Sequence, residues 1–160
     1  MNNVCFYKSP AGNVLKISDD GISIKEITFV QNACGCCLNA AASSLGNIAQ
    51  KQLAEYFAGE RKSFELPLDP DGTQFQKKVW KALCDIPYGQ LRSYKDIAQA
   101  IGCSKAFRAV GGANNKNPIV IVIPCHRVIC ADMSIGGYGE GIEIKRNLLT
   151  LEKSIDMVLE

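Results

Sequence analysis

Three short β-rich stretches open the chain, Val4–Tyr7, Val14–Ile17 and Ile22–Phe29. Their branched and aromatic residues predict strands, and Asp19-Asp20-Gly21 supplies turn chemistry between the last two. From Ala49 the apolar period lengthens. Ala49–Ala58 puts Leu53, Tyr56 and Phe57 on one helical face, with Gly59 as a stop. Strands followed by a helix predict a small α+β unit. Two prolines and a glycine in Leu66–Gly72 then mark a boundary.

Beyond it the pattern is helical. Thr73 and Gln76 form a capping-box signature ahead of the stripe Phe75, Val79, Leu83 and Ile86, and Pro87-Tyr-Gly89 ends that helix. Ser93 is placed to cap Tyr94–Ile101, with Ile97 and Ile101 inward and Gly102 closing it. Ser104 is placed to cap Lys105–Ala113. Two short helices around a glycine turn read as a helix-turn-helix, a signature that any αα-hairpin shares. Glu143–Lys153 reads as an amphipathic helix. The expected fold class is α+β: residues 1–68 a small antiparallel-sheet α/β domain, residues 69–160 a helical domain of winged helix-turn-helix character.

Composition narrows this picture little. Of 160 residues, 47% are hydrophobic and 21% charged, as in an ordinary globular protein. The longest apolar run, Ile119–Ile123, falls far short of the roughly 18 residues a membrane span needs. The first residues lack the features of a secretory signal, so a cytoplasmic location is expected, or a nuclear one in a eukaryote. Eight cysteines in a chain this long, with nothing to export it, read as free thiols rather than a disulfide scaffold. Cys84, within an apolar helical pattern, reads as a small buried hydrophobe. Net charge is only +2. Residues 71–160 carry 12 Lys/Arg against 9 Asp/Glu and residues 1–70 carry 6 against 7, so the basic excess lies in the second half.

Pro124-Cys125-His126-Arg127-Val128 changes the picture more. A run of β-branched residues delivers a cysteine just past a proline, next to the only histidine in the chain and an arginine. The thiolate is the reactive form of cysteine, and a base or positive charge nearby makes it accessible. Neighbours on an extended strand face opposite ways, so a turn at Pro124 or a bridging water is needed to couple Cys125 with His126.

This pentapeptide resembles the active-site signature of the O6-alkylguanine-DNA alkyltransferases. Phe75-Gln-Lys-Lys-Val-Trp80, Pro87-Tyr-Gly89, Ser93-Tyr94, Arg108-Ala-Val-Gly-Gly-Ala113, Asn117-Pro118, Gly136-Gly-Tyr138 and Leu148-Leu149-x-Leu-Glu152 fall at the family's spacing. The resemblance covers residues 52–153 and hardly touches residues 1–50. It implies DNA repair by one irreversible transfer of an alkyl group from O6-alkylguanine to Cys125, with no cofactor. His126, oriented by Glu152, takes the thiol proton through a water. Tyr94 donates to the departing guanine, and Asn117 holds the active-site turn. The Val128 carbonyl and Gly139 amide read the guanine edge beside Tyr138. The partner implied is double-stranded DNA carrying O6-alkylguanine, met by a monomer. A stacked base cannot reach a buried thiol, so the nucleotide is flipped out. Arg108 then fills the gap, while Ala106, Ala109 and Gly111 let the recognition helix approach the minor groove and Ser93 adds a DNA contact.

Three departures from the family pattern stand out. Phe107 occupies a recognition-segment position where small residues are common. Glu140 puts a carboxylate at the pocket rim, where it disfavours bulky or anionic adducts. Some relatives hold zinc near the N-terminus through cysteines and histidines, but His126 is committed elsewhere here. Cys34-Gly-Cys-Cys37, with Cys5, offers thiolates, yet one C-x-x-C motif is weak, and no metal is expected. Rival readings have less support. A non-enzymatic binder of alkylated DNA has no need of Cys125, His126 and Glu152 together. A cysteine hydrolase lacks an oxyanion-hole signature. A plain helix-turn-helix regulator leaves Pro124–Val128 unexplained.

Overall fold

The β-rich opening forms a three-stranded antiparallel meander, β1 (Asn3–Lys8), β2 (Val14–Asp19) and β3 (Ile24–Val30). The computed structural model describes residues 2–159. These divide into two compact units, one running through Asp71 and including Pro118–Val120, the other comprising Gly72–Asn117 and the chain from Ile121 on.

In the first unit the pleat decides which residues are buried. Cys5 opposes Ile17, Ile17 opposes Ile27, and Leu15, Ile17 and Ile27 are fully buried. The turn before β3 is built as expected. Asp19 accepts from the Gly21 amide at 2.8 Å, and Asp20 accepts from the Ile22 and Ser23 amides at 2.9 and 2.8 Å. After a short turn of helix, α1 (Gly35–Leu38), comes α2 (Ser44–Phe57). It begins five residues before the expected Ala49, because the Ser43 hydroxyl accepts from the Gly46 amide and nucleates a first turn lacking an apolar stripe. Leu53 and Tyr56 are buried beneath it, while Phe57 stacks on Tyr7 with ring centroids 5.9 Å apart. At the far edge, β3 gains a short parallel partner: the Ile27 amide donates to the Pro118 carbonyl, and the Val120 amide to that of Ile27.

The second unit follows its caps. Thr73 and Gln76 form the reciprocal box at the start of α3 (Gln74–Cys84), which buries Val79, Trp80 and Leu83. Cys84 is exposed, contrary to expectation. It lies one residue, about 100° of helix, past Leu83 and so leaves the apolar face. Ser93 and Asp96 make a second capping box on α4 (Tyr94–Ala100), just after the two-residue strand β4 (Arg92–Ser93). Gly102 at φ 77° then turns the chain. The next helix departs from the sequence pattern: α5 runs Phe107–Asn115, not Lys105–Ala113, and Ser104 does not cap it. A tight turn, with the Ala106 amide donating to Cys103, takes up those residues and leaves Ala106 as an N-cap without a side-chain bond.

Ile119–Ile123 is not one continuous strand either. Ile121 sits at φ 73°, a rare conformation for a β-branched residue, and Cys125–Arg127 form a single 3-10 turn. Strand β5 (Val128–Ile129) then pairs parallel with β4. The last α-helix among the described residues, α6 (Ile142–Leu151), buries Lys145, Leu148, Leu149 and, just past its end, Glu152. Their spacing of three, four and seven is one helical stripe. Among the described residues no helix is long and apolar enough to cross a membrane.

Candidate active site

The turn at Cys125–Arg127 is held from several sides. Asn117 Nδ2 donates to the Ile123 carbonyl at 2.7 Å, and Asn114 Nδ2 to the Cys125 carbonyl at 3.4 Å. Because the backbone turns here instead of extending, Cys125, His126 and Arg127 all point into the interior, and all three are buried. Sequence alternation alone left the coupling of Cys125 with His126 open. The turn at Pro124 buries both side chains.

Glu152 is the hub of the buried charge. Its Oε2 meets His126 Nε2 at 2.6 Å, and its Oε1 accepts from Arg127 Nε at 2.8 Å. Arg127 also donates to Glu152 Oε2 at 3.2 Å and to the Ile86 carbonyl at 2.7 Å. Burial pushes the Glu152 carboxyl up, but His126 and Arg127 together outweigh it and hold the group down at about 2. For His126 burial is the largest influence and lowers the imidazole below its ordinary value, so the ring is neutral near pH 7. A carboxylate accepting at Nε2 places the ring proton there. Nδ1 is buried, accepts nothing from the protein among the described residues, and is therefore the free base.

The thiol itself is quiet. Burial pushes the Cys125 thiol up, and bonds with Asn117 and Tyr138 and the charge of Lys145 only partly offset that. Its Sγ lies 3.9 Å from the Tyr138 hydroxyl oxygen. A cysteine in this setting rests as a protonated thiol and becomes a nucleophile only when a base removes its proton.

Lys145 was not singled out from the sequence. Its Nζ is buried and donates to the carbonyls of Val128, Ile135 and Gly137 at 2.7, 2.6 and 3.2 Å. Burial draws the ammonium down to about 8. The lysine thereby ties strand β5 to the loop that carries Tyr138. A lysine on the apolar stripe of α6, three residues before Leu148, was the signal in the sequence that pointed to it. Val128, expected to read a ligand through its carbonyl, already gives one acceptor position to Lys145, which fixes where the remaining lone pair points. Tyr94 begins α4 with its ring against α5, where a Cβ at Gly111 would stand 3.8 Å from Cδ1 and Cε1. Its hydroxyl lies near Gly136, and burial raises its pKa. Tyr138 is half-buried and Gly139 exposed.

Helix α5 shows a separate, open face. Arg108, Ala109 and Gly112 are exposed, and nothing lies within 4 Å of where a Gly112 side chain would begin. Gly111, assigned to this face from the sequence, turns toward Tyr94 instead, and Gly112 takes its place. Ala106 is half-buried ahead of the helix, and the Ser93 hydroxyl is engaged in capping α4. Phe107 is 37% exposed, with Lys95 Nζ 5.7 Å from its ring centroid.

The second unit thus carries a helix-turn-helix pair with an exposed arginine and buries a cysteine next in sequence to a neutral imidazole, the layout of a protein that joins a nucleic-acid-binding helix pair to a buried thiol. Residues 74–154 match the DNA-binding domain of 6-O-methylguanine DNA methyltransferase, and residues 4–70 match that enzyme's ribonuclease-like domain. The chain belongs to the 6-O-methylguanine DNA methyltransferase family. The methylated-DNA–protein-cysteine methyltransferase of Methanosarcina barkeri is 58% identical over 106 residues, 66% of this chain and 67% of that protein. The constitutive enzyme of Bacillus subtilis is 58% identical over 106 residues, spanning 66% of this chain and 64% of its own. A crystal structure of Mycobacterium tuberculosis O6-methylguanine methyltransferase superposes with a TM-score of 0.83 at 44% identity, covering 96% of this chain and 94% of that one. A structure of the Mycobacterium tuberculosis protein in complex with DNA gives the same TM-score at 42% identity. Family likeness thus extends over the first 50 residues, where the motifs had shown hardly any.

Proposed function

We propose that this chain repairs DNA by moving an alkyl group from O6 of a modified guanine onto the sulfur of Cys125, once per molecule. The observation that carries the assignment of residues is the pairing of His126 Nε2 with Glu152 at 2.6 Å, which leaves a buried Nδ1 without a protein partner on the residue that follows the buried thiol.

The step follows from that arrangement. His126 Nδ1 takes the Cys125 proton through a bridging water, and Glu152 steadies the imidazolium that forms. The thiolate attacks the alkyl carbon, a carbon–sulfur bond forms, and the carbon–oxygen bond breaks with its electron pair passing to guanine O6. Tyr94 donates a hydrogen bond to the purine as that charge develops. Asn117 holds the turn, and Lys145 holds the Val128 carbonyl and the Tyr138 loop in position to receive the base edge, with the Gly139 amide opposite. The product is a thioether, which the neutral base at hand has no means to cleave, so the protein is consumed.

The DNA partner is a duplex with one nucleotide turned out of the stack. Arg108 fills the gap, while Ala109 and Gly112 keep the surface of α5 low enough to enter the minor groove. The protein acts on it as a monomer. Half-buried Glu140 places a carboxyl near Cys125 and selects against anionic adducts.

Cys125→Ala tests the division of labour. It should abolish alkyl transfer while leaving affinity for an O6-methylguanine duplex within about threefold, since the truncated side chain is buried and uncharged. Loss of binding in a folded variant would contradict it.

A further inference from the structure

The C-x-x-C segment plays no part in the transfer chemistry. Cys34 Sγ and Cys37 Sγ lie 3.1 Å apart and share a hydrogen bond. Cys34 precedes α1 in an extended conformation, and its carbonyl accepts from the Cys37 amide at 3.0 Å. A hydrogen-bonded turn of this length holds its end Cα atoms within about 7 Å, which overlaps the window a disulfide requires. A disulfide bond is about 2.05 Å long, so the two sulfurs need approach by only about 1 Å. Cys34 is exposed and Cys37 partly so. The hydrogen bond with Cys37 lowers the Cys34 pKa first, backbone amides add to that, and Cys37 is raised in turn. One thiol is thus suited to attack and the other to resolve.

We propose that Cys34 and Cys37 form a dithiol couple that closes to an internal disulfide by exchange with small-molecule disulfides. The Cys34 thiolate attacks one sulfur of the disulfide, giving a mixed disulfide and releasing one thiolate. Cys37 then gives up its proton, attacks Cys34 Sγ, and expels the second thiol. Two protein thiols and one disulfide become one protein disulfide and two small thiols, a two-electron exchange. A metal is the less favoured occupant: among the described residues no group of three His, Cys, Asp or Glu side chains is placed to hold one. Among the described residues Cys36 is exposed and has no such sulfur partner, while Cys125 is buried and its thiol is pushed up by burial, so neither competes.

The test uses the full chain with oxidised glutathione as the probe, followed by alkylation of the remaining thiols and peptide mass. The tryptic fragment from Glu26 to Lys51 holds all three cysteines. It should lose two hydrogens, regain them with dithiothreitol, and behave the same in Cys36→Ser. Cys34→Ser and Cys37→Ser should lose the closure and retain a glutathione adduct instead. Stable glutathione adducts on the native sequence without closure would overturn the proposal. So would closure that persists in Cys34→Ser, which would make Cys36 and Cys37 the couple. Transfer to Cys125 should proceed unchanged in Cys34→Ser, so a failure here leaves the repair reading untouched.

Discussion

The two units bury polar groups in different ways. In the first unit the buried polar side chains are Ser9, Ser18, Asp19, Ser23 and Gln52, and Ser9, Asp19 and Gln52 bond backbone groups of nearby loops. Asp19 accepts from Gly21, Asn3 and the Ser43 hydroxyl, while Gln52 brackets the amide and carbonyl of Glu65. In the second unit His126, Arg127, Lys145 and Glu152 are buried together, four ionisable groups drawn into one small volume. Taking charges out of water costs several kcal/mol each unless they are paired, so such a cluster persists for what it positions, not for stability alone. The contrast shows how function is written in a fold: buried polarity that closes a turn is architecture, and buried charge gathered around the turn that carries a thiol is chemistry.

The sharpest way to break that contrast is to remove the hub. Glu152→Gln leaves the Arg127 charge uncompensated and should destabilise the protein by about 3–5 kcal/mol, as for other broken buried pairs. Asp19→Asn in the first unit should cost about 1 kcal/mol, the value of one ordinary hydrogen bond. Denaturant unfolding of both variants at one pH measures the difference, and equal losses would erase the distinction. The pH dependence has a definite sign. The Glu152 carboxyl is held at about 2, below its ordinary 4.5, so its contribution is complete above pH 4.5 and is lost as pH falls toward 2.

A second test separates chemistry from stability. His126 is lowered below 6.5 by burial, so the acid limb of the transfer rate should fall below pH 6.5, where the fold is intact. An inflection above 6.5 would mean that a different group accepts the proton. A further test lies on the open face of α5. Arg108→Ala should slow repair of duplex DNA at least tenfold more than reaction with a free O6-alkylated guanine base, for which no stack has to be opened. Equal slowing on both substrates would remove Arg108 from base flipping.

Much of this was legible in the sequence where local chemistry decides. Thr73 with Gln76, Ser93 as the cap of α4, and Asp19-Asp20-Gly21 carry their own hydrogen-bond partners within three residues and formed as expected, while Asp96 completes a second box that the sequence reading had not named. Reading failed where distant contacts decide. Ile119–Ile123 has strand composition, but pairing with Ile27 takes up only its start, and Ile121 turns the chain. Ser104 has capping chemistry, but a turn closes across it. Lys145 stands on the apolar stripe of α6, but what holds it there, three carbonyls converging on its Nζ, lies in segments distant in sequence. The signature around Cys125 was plain, whereas the quietness of its thiol depends on burial, which no local pattern records.

Intact and peptide mass after mixing the protein with a duplex holding a single O6-methylguanine tests the central claim most directly. The expected result is a gain of one methyl group per molecule, confined to the peptide that contains Cys125, and never a second however large the excess of DNA. Binding of the lesion with no change in mass, or a methyl group on any other cysteine, would contradict it.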